Sequence, residues 1–177
     1  MKITIHRGNQ IGGCITEIES ENGTKIFVDL GHNLPQGDKE SPDEYASEQA
    51  VETLIRGARA IFYTHMHGDH IELFQYVPDG IEQYVGPLAY DIMMAKFKHM
   101  SFSDSLKEKS QKCLKKLEPF RKYHRGQEIV VDDITVTPFQ VSHSAADSYM
   151  LKIQCDGKTV LHTGDFRGHG YMGEGIY

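Results

Sequence analysis

The chain has 177 residues, of which 39% are hydrophobic and 25% charged, as is typical of one globular domain with a buried core. Its net charge of -6 gives no basic surface and counts mildly against nucleic acid as a substrate. The cysteines are scattered and odd in number, which argues against a disulfide framework and indicates a reducing compartment. With no signal-peptide pattern and no apolar run near the ~20 residues of a membrane span, we expect a cytoplasmic protein without membrane contact.

Strand patterns fill the first third of the chain. Residues 2–6 alternate between polar and apolar side chains, which is typical of a strand. Residues 14–20 and 25–30 form two further strand patterns on either side of Asn22-Gly23, a pair that favours a hairpin turn. We therefore expect at least three strands before the first helix.

A helix and a buried strand are predicted next. The sequence Ser-Pro-Asp-Glu at 41–44 predicts a helix start, with the serine as N-cap and the glutamate closing a capping box. Apolar residues between 46 and 55 form one stripe at helical spacing, so this helix should pack on a sheet and end at Gly57. The apolar run at 60–63 then predicts a buried strand.

The second half of the chain mixes helices and strands. A strand is predicted at 82–85, followed by helices at 87–97 and 103–117. The strand pattern returns at residue 129, with predicted strands at 134–137, 140–141, 149–154 and 159–161. A turn at Asp156-Gly157 joins the last two. Lysines and arginines between 107 and 125 make the one locally basic stretch. We interpret it as a solvated helix face, with contact to an RNA backbone as the alternative.

The stretch Thr-His-Met-His-Gly-Asp-His at 64–70 follows the buried strand and concentrates metal-binding side chains. Side chains two residues apart in an extended segment point to the same side, so His65 and His67 should converge on one ion. Asp69 and His70 lie beyond a flexible glycine and should reach a second ion. Imidazole suits zinc, and carboxylate suits zinc or manganese. An exposed, histidine-rich turn is the alternative interpretation.

Two further candidate ligands lie far along the chain. His143 stands in Val-Ser-His-Ser and Asp165 in His-Thr-Gly-Asp-Phe. Each follows a predicted strand at the point where a loop begins, a common place for functional side chains on a rigid scaffold. Together with residues 64–70, they predict two divalent ions roughly 3.5–4 Å apart with a hydroxide between them.

The complete pattern, His-x-His-x-Asp-His followed by a lone histidine and then an aspartate, resembles the metallo-β-lactamase superfamily over nearly the whole chain. Residues 143–148, His-Ser-Ala-Ala-Asp-Ser, and 161–167, Leu-His-Thr-Gly-Asp-Phe-Arg, most resemble the ribonuclease J group of β-CASP nucleases. The resemblance implies an α/β fold, the αβ/βα layered sandwich, and a metal-dependent hydrolase. It also implies the ligand sets: His65, His67 and His143 for the first ion, Asp69 and His70 for the second, and Asp165 between the two.

Other residues near this pattern have predicted supporting roles. By the same resemblance, Asp29 would hold the metal loop from behind the ligands. Asp69 is also the candidate catalytic residue, because it could orient the hydroxide. Ser144 and Ser148 are candidates for binding phosphate oxygens, with hydrogen bonding in a turn as the alternative. Asp147, in the same short stretch, is expected to support the loop or the substrate.

The family pattern continues past its bridging aspartate with more sheet, helices, the β-CASP insertion and a final histidine ligand. This chain instead stops soon after Asp165, and His169 lies too close to Asp165 to take that histidine's place. We therefore expect residues 1–177 to be the N-terminal portion of a longer protein, without the β-CASP insertion. The first metal site should then be complete and the second one ligand short, so activity of the chain alone is left open.

The predicted function of the complete protein is hydrolysis of phosphodiester bonds, with RNA as the leading substrate. A hydroxide held between the metals would attack phosphorus, and the ions would stabilise the developing charge. Two alternatives stay open: a small-molecule hydrolase of the same fold, such as a lactonase or thioesterase, and a non-catalytic metal-binding module. Half a sandwich should also expose an apolar sheet face, so we expect the chain to form homo-oligomers or to aggregate.

Overall fold

The fold comes from a computed structural model that describes residues 1–35 and 43–169. The strands in this part of the chain are β1 (Lys2–Ile5), β2 (Thr16–Glu19), β3 (Lys25–Val28), β4 (Ala58–Phe62), β5 (Glu82–Val85), β6 (Arg121–Lys122), β7 (Ile129–Val131), β8 (Ile134–Val141), β9 (Ser148–Cys155) and β10 (Lys158–His162). The helices are α1 (Glu48–Leu54), α2 (Gly68–Ile71), α3 (Pro87–Met100) and α4 (Lys107–Leu117), with a 3₁₀ helix (Glu72–Tyr76) directly after α2.

Six strands form the first sheet, in the order β1-β2-β3-β4-β5-β6. The first three strands are antiparallel, and β3 to β6 run parallel to one another. The predicted hairpin joins β2 to β3, and Gly23 has a φ of 84°, which glycine adopts without a steric penalty. Because β3 and β4 are parallel neighbours, the loops that follow them leave the sheet at the same edge.

Four antiparallel strands form the second sheet, in the order β10-β9-β8-β7. The predicted turn at Asp156-Gly157 joins β9 to β10, and both residues have positive φ, 53° and 65°, as a type I′ turn requires. His143 follows β8 and Asp165 follows β10, so both lie just beyond strand ends, as predicted.

Two apolar cores hold the layers together. The core between the helices and the first sheet contains Phe27 and Ile61, whereas the core between the two sheets contains Val28 and Phe62. Neighbouring residues of β3 and β4 therefore enter opposite cores, which explains why these strands are almost continuously apolar. The described layers are helix, sheet and sheet, in agreement with the predicted part of a layered sandwich.

The second sheet also carries apolar residues outside the core between the sheets. Val130, Phe139 and Leu161 are exposed on its strands. This is the kind of surface that self-association would cover. The predicted pairing with a second copy stays a prediction.

The helix predicted to begin at Ser41 starts later in the described part of the chain. Ser41 itself lies outside the described residues, and α1 begins at Glu48, where the Ser47 hydroxyl accepts a backbone hydrogen bond of 3.2 Å as the N-cap. Asp43 has a tertiary role instead, because its buried carboxylate accepts a hydrogen bond from Arg7. Asp43, which the sequence pattern assigned to the first turn of the helix, is therefore held outside it by an ion pair with a residue distant in the chain.

Two smaller expectations also need correction, and one short strand was missed. Helix α4 begins at Lys107 rather than at 103, and Cys14 is half-buried ahead of β2 rather than within a strand. The two-residue strand β6 was not predicted, because two exposed polar residues carry no periodic signal.

No helix in residues 1–35 and 43–169 is long and apolar enough to span a membrane.

Candidate metal centre

A buried carboxylate, Asp29, holds the beginning of the loop at 64–70. Asp29 follows β3 and Thr64 follows β4, so the parallel strand ends bring the two residues together. Thr64 donates from its backbone N to Asp29 Oδ1 at 2.7 Å and from its hydroxyl to Asp29 Oδ2 at 2.9 Å. These two hydrogen bonds fix the direction in which the loop leaves the sheet.

Three histidines, His65, His67 and His143, form what we call the first cluster. His65 Nε2 lies 3.1 Å from His67 Nδ1, and the ring centroid of His143 lies 4.8 Å from that of His65 and 5.1 Å from that of His67. One ring nitrogen from each residue lies within 4.8 Å of the other two. Zinc binds imidazole nitrogen at about 2 Å, so a small adjustment of these rings would place all three nitrogens on one ion.

The second cluster consists of His65, His70 and Asp165, whose ligand atoms also lie within 4.8 Å of one another. Asp165 connects it to the first cluster. Its Oδ1 lies 3.6 Å from His70 Nε2, and its Oδ2 lies 3.6 Å from His143 Nε2. Because its two oxygens face histidines of different clusters, the Asp165 carboxylate fits the bridging role that the resemblance implies, and that role stays a prediction.

Asp69 lies beside the second cluster without belonging to either group among the described residues. Its Oδ2 is 3.8 Å from His70 Nε2. That separation suits either a further ligand of a second ion or a base that orients a water molecule. The structure thus brings all six predicted ligands together, while their binding of metal stays a prediction.

Burial keeps two histidines of the first cluster in the form that binds metal. Burial, together with the nearby His70, lowers the pKa of His65 to about 3. Burial also lowers the pKa of His143, and the opposing effect of Asp165 does not cancel it. Both rings are therefore neutral near pH 7, and a metal need displace no proton from them.

His70 is charged for the opposite reason. Burial acts to lower its pKa, but the hydrogen bond from Nδ1 to Asp29 Oδ2 at 2.8 Å and the nearby Cys14 thiol raise the pKa to about 11. Burial acts to raise the pKa of the Asp29 carboxyl, but the same bond, the charge of His70 and the backbone hydrogen bond from Thr64 together lower it. A cation at Nε2 would replace one proton of His70, while Asp29 would continue to orient the ring from behind.

The donor atoms of the two clusters suit a metal ion. On His143 the ring nitrogen that faces Asp165 is Nε2, at 3.6 Å, so a cation would bind there. The other ring nitrogen, Nδ1, is buried and has no hydrogen-bond partner among the described residues. Neutral imidazoles together with a bridging carboxylate are a donor set that suits zinc or manganese. The residues present therefore fit divalent cations.

Backbone contacts hold the ligand loop against two segments, the one before β2 and the one after β3. The carbonyl oxygens of Gly68, Asp69 and His70 accept hydrogen bonds from the backbone N–H groups of His32, Cys14 and Leu30, at 3.0, 2.8 and 2.8 Å respectively. A Cβ at Gly31 would lie 1.7 Å from the Asp69 oxygen, so only glycine fits there. Buried Arg7 donates to Gly31 O at 2.8 Å and so ties this segment to its ion pair with Asp43.

The three candidates between the end of β8 and the first residue of β9 have different surroundings. Ser144 Oγ is 3.3 Å from His143 Nε2, beside the clusters. Ser148 is buried and donates to Ala145 O at 3.0 Å, the turn hydrogen bond considered as the alternative. Asp147 Oδ2 accepts backbone hydrogen bonds of 2.8 and 3.2 Å from the first turn of α3, so its carboxylate supports the fold.

Two residues near the clusters were not predicted as functional. Thr64 anchors the loop through Asp29, and the only signal for it was its place directly before the first ligand. His162 lies under the Asp165 loop: its Nε2 is 3.3 Å from the Thr16 hydroxyl, and its Nδ1 accepts a 3.3 Å hydrogen bond from Gly164 N. It stands in the quoted motif at 161–167, but only the tertiary structure gives it a role.

Comparisons with known proteins agree with this geometry. A family model described as "Beta-lactamase superfamily domain" matches residues 40–174. Ribonuclease J sequences from three strains of Helicobacter pylori (ATCC 700392 / 26695, B128 and J99) are 28% identical to this chain. The alignment has 178 positions and covers 94% of this chain. The chain spans only 23% of the length of those relatives.

A solved structure supports the fold. The crystal structure of a protein of unknown function from Enterococcus faecalis V583 matches with a TM-score of 0.73 and 20% identity, over 97% of this chain and 45% of that one. The predicted fold and the resemblance to ribonuclease J are both confirmed. The layered sheets, the histidine and aspartate clusters at their edge, and the family match over most of the sequence show that the chain belongs to the metallo-β-lactamase superfamily.

Proposed function

We propose that this chain supplies the metal site of a hydrolase that cleaves phosphodiester bonds, with RNA as its substrate. The observation that carries the proposal is the position of Asp165, whose two oxygens lie 3.6 Å from His70 and from His143. Side-by-side cations suit displacement at a phosphate, because they can contact both the attacking and the leaving oxygen. The similarity to ribonuclease J supports RNA as the substrate class.

Divalent cations in these clusters would activate water and stabilise negative charge on the phosphate oxygens. The residues of the chain then have separate roles. His65 and His143 provide neutral nitrogens, and Asp165 sets the separation between the two clusters. Asp69 orients the attacking water and accepts its proton at Oδ2. Ser144, beside His143, donates a hydrogen bond to a phosphate oxygen.

Hydrolysis assays test the proposal. The chain is treated with a chelator, supplied with zinc or manganese, and incubated with a 5′-labelled RNA oligonucleotide. We expect metal to restore cleavage, and Asp165→Asn to reduce it by more than about 100-fold, since outer partners of metal ligands alone cost 10–100-fold. His124→Ala is the control, because His124 is exposed and outside both clusters. RNA cleavage that persists in chelator would contradict the proposal.

A small-molecule hydrolase of the same fold is the second candidate. The net charge of -6 favours it, because binding a polyanion normally requires clustered lysines and arginines. A lactone and a thioester are therefore included in the same assay. Hydrolysis of either one with intact RNA would select this candidate, and bound metal without any turnover would select a non-catalytic metal-binding module.

A further inference from the structure

A cavity of about 330 Å³ opens beside the ligand loop, between α3, α4 and the segment formed by α2 and the 3₁₀ helix. Its walls are mainly apolar and include Met66, Ile71, Phe74, Ile92, Met93 and Phe97. This volume and lining are typical of small-molecule sites, and methionine side chains adapt readily to flat ligands. The cavity, which we call the side pocket, is not used by either metal cluster.

The side pocket touches the candidate metal centre through His67. This residue belongs to the first cluster and also lines the pocket, together with Gly68. A group bound in the pocket would therefore lie beside a phosphate held at the clusters. The pocket is placed to contact a part of the substrate next to the reacting bond.

Three charged side chains define what the side pocket can bind. Glu72 lines it as a half-buried carboxylate and makes no side-chain hydrogen bond or ion pair with the described residues. Lys96 and Lys109 also line it, are exposed, and form no ion pair in the described part of the chain. A matching occupant has apolar faces, N–H donors for the carboxylate, and negative charge for the ammonium groups.

We infer that the side pocket binds a nucleotide base, guanine in preference to the others, with the attached phosphate toward Lys96 and Lys109. The inference rests on the proposed function, since the base would belong to an RNA substrate held at the clusters. Guanine presents two adjacent N–H donors on one edge, which a carboxylate can accept together. Its flat faces would pack against Met66 and Phe97, as unpaired bases pack on aromatic and apolar side chains.

An alkyl or acyl chain fits the side pocket less well. It would fill the apolar walls but cover the Glu72 carboxylate without offering it a donor, and an unpaired buried charge is costly. A purine covers the same walls and pairs the carboxylate. The charge pattern therefore separates a nucleotide from a fatty acid or acyl thioester.

Binding in the presence of EDTA tests this inference without turnover. Calorimetric titrations would use guanosine 5′-monophosphate, adenosine 5′-monophosphate, ribose 5-phosphate and octanoate. We expect guanosine monophosphate to bind about tenfold or more tightly than ribose 5-phosphate, the size of discrimination that one bidentate base contact provides. Octanoate binding more tightly than guanosine monophosphate, or no nucleotide binding, would overturn the inference.

Variants locate the site of binding. Ile92→Trp should fill the side pocket and exclude the base. The affinity for guanosine monophosphate should then fall about tenfold or more, because the bidentate contact between the base and Glu72 is lost. Ala95→Trp is the matched control, because Ala95 is exposed on α3 outside the pocket and its substitution should change affinity by less than about twofold. Equal affinity in a folded Ile92→Trp protein would overturn the site assignment.

Glu72→Gln provides a test that does not depend on the volume of the pocket. An amide presents only one acceptor oxygen, so the preference for guanosine over adenosine monophosphate should disappear while adenosine monophosphate still binds. An unchanged preference would overturn the role of Glu72. The titrations and the RNA hydrolysis assay test different claims. Nucleotide binding without RNA cleavage would support the base site and refute the proposed function. RNA cleavage without nucleotide binding would refute the base site alone.

Discussion

His65 and His70 lie on the same loop and are equally buried, with 0% and 2% of their surfaces exposed, yet their protonation differs. His65 has no carboxylate of the described residues bonded to its ring, and burial together with the nearby positive charge of His70 lowers its pKa to about 3. His70 has the Asp29 carboxylate behind it, and its pKa rises to about 11. Burial alone does not set the charge of a buried histidine; the hydrogen-bond partner decides it.

This difference has a consequence for metal binding. An ion in the first cluster finds neutral nitrogens on His65 and His143, whereas an ion near His70 must displace a proton. The two clusters should therefore respond differently to substitution and to pH.

The largest expected effect comes from His65→Ala, because His65 belongs to both clusters. We expect both to lose metal, with affinity falling by more than the ~100-fold that loss of an outer partner costs. His143→Ala, by contrast, should remove metal from the first cluster alone. Elemental analysis of protein purified without chelator measures this difference, with His124→Ala as the control. Equal metal content in the His65→Ala and control proteins would contradict the shared role of His65.

Asp29→Asn tests the effect of the Asp29 carboxylate on His70. The amide keeps the shape of the side chain but removes the charge that holds His70 protonated and oriented. We expect a loss of about 10–100-fold in metal affinity near His70 and a small change at the first cluster. Metal-free protein should lose about 3 kcal/mol of stability, as when one partner of a buried pair is removed. Chemical unfolding measures the second effect, and an unchanged midpoint would refute it.

The free energy of unfolding of the metal-free protein should depend on pH through both His65 and His70. His65 has a folded pKa of about 3 against an ordinary 6.5, so its stabilising effect is present above pH 6.5 and is lost as the pH falls toward 3. His70 has a folded pKa of about 11, so its effect is present below pH 6.5 and is lost as the pH rises toward 11. From these two groups, stability should be greatest near pH 6.5.

Urea midpoints measured in chelator across this range test the assignment. His65→Gln should reduce the loss on the acid side, and Asp29→Asn should reduce the loss on the alkaline side. A His65→Gln protein with an unchanged acid slope would show that carboxylates elsewhere in the chain cause it.

The smallest expected effect concerns Asp147, which supports the fold outside the clusters. Asp147→Ala removes two hydrogen bonds to the first turn of α3 and a third from the Tyr149 hydroxyl, and should cost about 1–2 kcal/mol, the upper part of the range for a helix cap. Thermal unfolding measures the change, and Asp104→Ala, at an exposed position, is the control. Metal content that falls as far as in the His65→Ala protein would contradict a role limited to support.

Local patterns predicted much of the fold because they depend on neighbouring residues. The hairpins at Asn22-Gly23 and Asp156-Gly157 follow from the backbone freedom of glycine and its neighbour, and β4 follows from an apolar run. The start of α1 was predicted wrongly, because Asp43 pairs with Arg7, a partner 36 residues away in the chain. No local pattern contains that contact.

The sequence by itself determined the superfamily and the identity of the candidate ligands, because their spacing and their places after strands are local properties. Only the tertiary structure decided which oxygen of Asp165 faces which histidine, and that Asp147 and Ser148 support the fold. It also decided the opposite charges of His65 and His70, and it formed the side pocket from separate helices. The physical reason is that charge and shape in a site depend on groups that are distant in sequence and adjacent only after folding.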